Sequence, residues 1–303
     1  MANKLGALLV TIWLVAVMSP VSSLRADEHQ HVEMFIRDDV YEDYLRFLRG
    51  RSPLDVVDFH GEYIRRDVVD MIIVQQALML GGFDKPFEYR SGKVNFRNTR
   101  LLEQGKLLLS FDSYWLDDAK ALEDKLFISQ AVIRQGEYFA GIYSNPDNEK
   151  VAQLKSYNDF LNLTAVSTPR WRTDWQTLSS LPLKELFVEH EWLAQAQMVH
   201  RGWADFMMMP LMPSLNNAYQ LEEIKLVAHP SLILELNGSR HFVISRNHPD
   251  GERAFKAIEK GLTLLREQNR IKRAYEEAGL IPDFTKYTII NANPIAVQNN
   301  SQE

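Results

Sequence analysis

Residues 199–206 read Val199-His200-Arg201-Gly202-Trp203-Ala204-Asp205-Phe206, and this stretch decides the fold class. Upstream of it, Trp192 to Arg201 has the apolar spacing of a helix, which Gly202 closes because a residue without a Cβ enters the left-handed conformation of a helix end without strain. Downstream, Asp205 to Met209 is a short apolar strand cut off by Pro210, which has no N–H to give to a ladder. A helix that ends in glycine and delivers straight into a strand is one unit of an α/β chain.

The alternation continues in both directions. Toward the N-terminus, Leu186 to Val188 and Leu161 to Ser167 read as strands, and Asp174 to Leu178 starts a helix between them. Glu137 to Tyr143 is a strand ended by Asn145-Pro146-Asp147, and Leu107 to Phe111 is a fully apolar one. Asn98 to Gln104 is a short helix closed by Gly105, and Phe87 to Arg90 is a short strand. Ile64 to Leu80 carries Val68, Met71, Ile72, Ala77 and Leu78 at helical spacing and stops at Gly81-Gly82. Leu54 to Phe59 is short and β-branched, followed by a turn at His60-Gly61. Toward the C-terminus, Leu232 to Leu236 and His241 to Ser245 straddle Asn237-Gly238, a hairpin signal. Glu252 to Ala278 reads as one or two amphipathic helices ending at Gly279, and residues 291–303 as a loose polar tail.

Composition narrows the class. With 303 residues, 46% hydrophobic and 24% charged, the chain is a globular one with room for one large or two ordinary domains. Its 34 basic and 40 acidic residues leave a formal charge of −6, a poor basis for a nucleic-acid partner, whose phosphates need neutralising. The chain has no cysteine, so it forms no disulfide, thiolate metal site or cysteine nucleophile. Residues 1–26 have the order of a secretory signal: Lys4, an apolar run from Leu5 to Met18, a break at Ser19-Pro20, then Leu24-Arg25-Ala26. The run is short for a bilayer span of about 20 residues, so the mature protein is expected in the periplasm without stable membrane insertion. Cleavage after Ala26 would expose Asp27-Glu28-His29, where the terminal amine, two amides and the His29 imidazole form a square nitrogen set suited to Cu(II).

Three stretches carry a resemblance. Phe127-Ile128-Ser129-Gln130-Ala131-Val132 is similar to a Phe-Ser-x-Pro-Tyr segment, residues 199–206 to a helix, Gly-x-Ala-Asp, strand element, and Phe242-Val243-Ile244-Ser245 with the helix before Gly279 to a closing strand and long helix. In this order they resemble the amino-acid-binding branch of the type II periplasmic solute-binding proteins. The resemblance implies an α/β, two-lobe fold with two hinge strands, residues 27–143 and 230–290 forming one lobe and 144–229 the other. It also implies a monomer that closes on a small solute without catalysis or cofactor, for a membrane transporter or sensor. The family's carboxylate-binding arginine would fall at Leu122, seven residues before Ser129, and its amine-binding aspartate at Met209-Pro210. The chain therefore departs from the amino-acid clamp.

Candidate ligand residues follow from loops at strand ends. His60, Glu62 and Tyr63 follow the first strand, Tyr114 and Trp115 the third, and Ser129 belongs to the Phe-Ser segment. Ser167, Thr168, Arg170, Trp171 and Arg172 link a strand to a helix. Guanidiniums and hydroxyls at a helix start, opposite two aromatics, suit a solute with an anionic group and a flat or apolar body. The same loop can equally be read as surface arginines with a tryptophan packing the lobe. No Gly-x-Ser-x-Gly, His-Glu-x-x-His or glycine-rich phosphate loop occurs, so the expected role is capture rather than catalysis. An accessory module that keeps the fold and has lost the solute is the alternative.

Overall fold

The computed structural model describes residues 31–92, 97–212 and 216–292. The expected leader, His29 and residues 293–303 of the tail lie outside them. β1 (Val32–Arg37) leads into α1 (Asp38–Leu48), a 3₁₀ turn at Pro53–Asp55 and α2 (Arg66–Gly81). β2 (Phe87–Gly92) returns parallel to β1, with Val32 opposite Phe87. Then come α3 (Arg97–Glu103), β3 (Tyr114–Trp115), α4 (Leu116–Lys120) and β4 (Leu126–Ile133). The middle of the chain forms β5 (Phe139–Ser144), α5 (Glu149–Ala152), β6 (Thr164–Ser167), α6 (Arg172–Ser179), β7 (Glu185–Val188), α7 (Trp192–His200) and β8 (Met207–Pro210). β9 (Ala218–Leu221), β10 (Ile224–Glu235), β11 (Arg240–Ser245), α8 (Gly251–Glu267), α9 (Arg270–Glu277) and β12 (Thr288–Ile289) complete it.

Two sheets organise these elements into two bodies. In one, β11 lies between β3 and β4, antiparallel to both; in the other the order is β12-β10-β5-β8, with β9 added to β10. β4 and β5 are consecutive, as are β10 and β11, and the pairs run antiparallel side by side. Residues 134–138 and 236–239 therefore cross together from one sheet to the other. The Leu236 N–H donates to the Tyr138 carbonyl at 3.0 Å, and Gln135 Nε2 to Asn237 Oδ1 at 2.7 Å. The hairpin expected at Asn237-Gly238 is not formed. β10 and β11 belong to different sheets, each taken up by its partner across the crossing, and neither turn residue has the positive φ that a type I′ turn requires.

The first body joins residues far apart in sequence. Every residue of α2 from Asp67 to Leu78 is buried, and α8 packs along it. Contact is backbone to backbone: a Cβ on Gly81 would stand 2.0 Å from the Ala257 carbonyl oxygen, and one on Gly261 1.8 Å from that of Ala77. Ala77 and Gly81 on one helix, and Ala257 and Gly261 on the other, sit one turn apart, which opens both faces to this approach.

Other local expectations are revised. Leu54 to Phe59 is not a strand: Ser52 accepts from the Leu54 N–H and Pro53 takes the first helical position, so the segment starts as a 3₁₀ turn and continues extended but unpaired. Leu107 to Phe111 is reduced to one bridge, Leu109 to Ile244. In the second body Gly202 has φ 72°, as a helix end requires, and Ala204 and Phe206 are fully buried. The carboxylate of Asp205 accepts from the Thr164 N–H at 2.8 Å and from its hydroxyl at 2.9 Å, tying the opening stretch to β6.

Candidate functional site

Where the two bodies meet, charged and aromatic side chains converge from both. α2 opens with Arg66 and Asp67, the loop after Leu107–Phe111 brings Asp112 and Ser113, and β3 brings Trp115. Tyr138 comes from one crossing segment, and Arg240 is the first residue beyond the other. From the second body, the first turn of α6 contributes Asp174.

Arg240 lies at the centre, only 5% exposed. Its Nε donates to the Ser113 hydroxyl at 3.0 Å and its Nη2 to the Ser113 carbonyl. Its guanidinium carbon stands 4.8 Å from the Trp115 ring centre and 5.9 Å from that of Tyr138, and the two rings are 4.9 Å apart. Among the described residues no carboxylate lies within 4 Å of it. Burial and the neighbouring Arg66 both push its pKa down, yet a guanidinium keeps its proton in a protein, so the buried charge persists.

The neighbouring groups respond to one another. Burial works against the charge of Arg66, but Asp67, with Tyr138, Asp70 and Asp112, outweighs it and holds the guanidinium firmly protonated. Burial likewise opposes ionisation of Asp67; Arg66, Arg65 and Arg37 overcome it and hold that carboxyl well below the usual range. Asp112, 3.8 Å from Arg66, is pushed up by burial and by Asp67. Asp174 is pushed up to about 6 by burial, against the pull of Arg240 and Arg66. Among the described residues one salt bridge spans the bodies, Arg172 Nε to Asp118 at 3.7 Å. A Cβ on Gly238 would meet both Trp115, at 3.1 Å, and Thr173, at 3.8 Å, so the crossing segment also touches both sides.

The residues singled out from sequence are distributed unevenly. Trp115 is part of the cluster, and Arg172 reaches across to its rim. Tyr114 lies beside it, its hydroxyl 3.0 Å from Thr99 and its pKa pushed up to about 12 by burial and Asp112. Ser129 is buried in the first sheet, where its hydroxyl accepts from the Phe242 N–H at 3.0 Å beside a slip in the β4–β11 register. Ser167 is buried at the end of β6, and the Thr168 hydroxyl meets His190 Nδ1 at 2.8 Å. Arg170 is exposed and Trp171 half-buried. His60 has its side chain 69% exposed against Asp58, Glu62 is exposed, and Tyr63 lies under the Arg46 guanidinium at 5.1 Å. The contacts of His60 and Tyr63 thus run to their own loop, α1 and α9 rather than to the seam.

Arg66, Asp67, Tyr138 and Arg240 lie outside the loops expected from sequence, whereas Asp112 and Asp174 stand within two of those strand-end loops without being candidates there. A signal existed for three of them. Arg66 and Asp67 open a helix that is mostly apolar and buried beyond its first turn, and Arg240 heads a strand buried at all six positions. Among the described residues two groups have the donors for a metal ion, His31 with Glu33 and Glu88, and Asp58 with His60 and Glu277. In the first, Arg90 stands 2.5 Å from Glu33; in the second, Glu277 already accepts from the Phe59 N–H at 2.8 Å. A hollow of about 550 Å³, lined by Gly82, Arg253, Lys256 and Lys260 among others, opens between α2 and α8, apart from the seam.

No protein-family model matches the chain, and no curated protein matches its sequence. Solved structures do match its shape. The periplasmic VFT2 domain of BvgS from Bordetella pertussis superposes with a TM-score of 0.53 at 13% identity, over 84% of this chain and 94% of that one. The probable amino-acid ABC transporter extracellular-binding protein ytmK from Bacillus subtilis gives 0.52 at 13% identity, over 84% and 99%. The chain has the two-lobe type II periplasmic-binding-protein fold in a divergent sequence. Among the described residues no helix is long and apolar enough to cross a membrane.

Proposed function

We propose that this protein captures a small anionic or aromatic solute between its lobes and presents it to a membrane transporter or sensor. In this reading the lobes divide at the two crossing segments rather than at 143 and 230, because β5, the end of β10 and β12 pair within the second sheet, and residues 1–26 direct the chain to the periplasm. Arg240 carries the reading: a buried cation with no carboxylate in direct contact, at the meeting of the two bodies, is a group that an incoming anion completes. Arg66 and the Tyr138 hydroxyl widen the polar wall. Ser167, Thr168, Arg170, Trp171 and Arg172 are the proposed closing side. We assign it no catalysis; its resident groups hold and orient.

A thermal-shift screen of the purified chain against organic acids, aromatic carboxylates, amino acids, peptides and sugars tests this, since a ligand at 100 times its dissociation constant adds about 2.7 kcal/mol. Arg170→Ala and Trp171→Ala are each expected to weaken a hit by at least about 1 kcal/mol. Wild-type affinity in both removes that loop from the site. Silence across the screen overturns solute capture. It favours instead an accessory module, a reading supported by the Trp115 face already covered by Arg240, Tyr138 and Gly238.

A further inference from the structure

Ser113 connects two buried groups of opposite charge that do not touch. Its hydroxyl donates to Asp70 Oδ2 at 2.7 Å and accepts from Arg240 Nε at 3.0 Å. Its N–H donates to the same carboxylate oxygen at 2.9 Å, and its carbonyl accepts from Arg240 Nη2. The other oxygen of Asp70 accepts from the Tyr275 hydroxyl. All four residues are buried, and they come from α2, the loop before β3, β11 and α9. Among the described residues the hydrogen bonds that link Asp70 and Tyr275 to Arg240 pass through the serine.

An arginine side chain has many rotamers, and a recognition group must hold one of them before its ligand arrives. We propose that Asp70 and Ser113 are positioning residues: acting through the Ser113 hydroxyl, Asp70 holds the Arg240 guanidinium against Trp115, commits Nε–H and one Nη2–H to the protein, and leaves the remaining N–H groups of Nη1 and Nη2 for the anion of the solute. The inference rests on solute capture in the seam and adds to it a manner of reading. The anion is met by the end-on pair of Nη1 and Nη2, the side-on fork of Nε and Nη2 being held by Ser113.

The test uses the full chain with arginine side chains labelled with ¹⁵N. A buried, hydrogen-bonded Arg240 Nε–H gives a slowly exchanging signal, assigned by its loss in Arg240→Lys. Ser113→Ala removes the Nε acceptor and leaves the carbonyl in place, so exchange at Nε is expected to rise about tenfold or more, the scale of one buried hydrogen bond. Asp70→Asn, of the same size, is expected to raise it less, and Tyr275→Phe least. Unchanged exchange in Ser113→Ala and Asp70→Asn, with circular dichroism matching the parent, overturns the positioning role. An equal rise at Nε–H groups of surface arginines also overturns it, because loosening is then general. Benzoate serves as the anionic probe: Ser113→Ala is expected to weaken it about tenfold. If benzoate and the other carboxylates fail to bind the parent chain while the Nε–H series follows the expected order, solute capture fails and the positioning of Arg240 stands.

Discussion

On the first body's side of the seam, Arg240, Ser113 and Asp70 are buried and joined by four hydrogen bonds that use carbonyl, hydroxyl, amide and carboxylate groups together, and a fifth ties Asp70 to Tyr275. On the second body's side, Arg170 and Arg172 are exposed, Trp171 is half-buried, and among the described residues the ion pair across to the opposite wall is the Arg172–Asp118 contact. A buried polar wall must be complete, since each unsatisfied group there costs as much as a bond gains. An exposed face exchanges its partners for water at little cost and can move. Selectivity is therefore expected on the fixed wall, and opening and closing on the mobile one.

Arg240→Met should be the most damaging change, because it leaves Ser113 and Asp70 without the charge they face; about 3 kcal/mol of stability is expected to be lost in urea denaturation. A loss below about 1 kcal/mol would mean that the wall does not depend on its guanidinium. Asp67→Asn comes next, at about 2 kcal/mol, since Arg66, Arg65 and Arg37 all face that carboxylate. Asp67 is held well below the ordinary carboxylate range, so its contribution is complete above the unfolded pKa and disappears as the pH falls through the folded one. Parent and variant stabilities should converge in strong acid, and a gap that stays constant there breaks the assignment.

Asp174 has the opposite sign. Its folded pKa is raised to about 6, so the folded chain holds the proton where the unfolded chain has released it, and stability declines as the pH climbs from about 4 to 6. Asp174→Asn should flatten that part of the profile and stabilise the chain at pH 7 by about 1 kcal/mol, a figure reduced for the water that reaches this residue. A steeper profile would place the titrating group elsewhere. Arg172→Gln should have the smallest effect, below about 0.5 kcal/mol in thermal unfolding, because both partners are about half exposed. A larger loss would show that the second face is as tightly built as the first.

The fold could be read from sequence where local chemistry coincided with tertiary need. Gly202 had to end α7, and Gly81-Gly82 had to end α2, because the next segment turns sharply away. Asn237-Gly238 misled because a turn-forming pair says nothing about which strands flank it; the pairing is decided by β4 and β5, a hundred residues earlier. β1 carried no clear signal, since VEMFIR runs directly into the acidic start of α1. The site was harder to read. Trp115 was found because it stands in a loop at a strand end, but Arg66 and Arg240 belong to regular elements whose other members are mostly buried. Their meeting depends on a crossing that no local pattern encodes. The Gly-x-Ala-Asp element gave the architecture, with Asp205 fastening β6 rather than facing a ligand.

The close packing of α8 on α2, with Gly81 against Ala257 and Gly261 against Ala77, sets an order of events during synthesis. α2 is complete early, but the helix that covers its apolar face begins at Gly251, and the matching glycine lies 180 residues downstream of Gly81. At translation speeds of 5–20 residues per second, a naked greasy cylinder waits roughly 10 to 40 s for its lid. Holdases that bind nascent polypeptides, or passage through a secretion pore while still unfolded, would bridge that interval. Truncations ending before residue 251 should clump rather than accumulate as half a molecule.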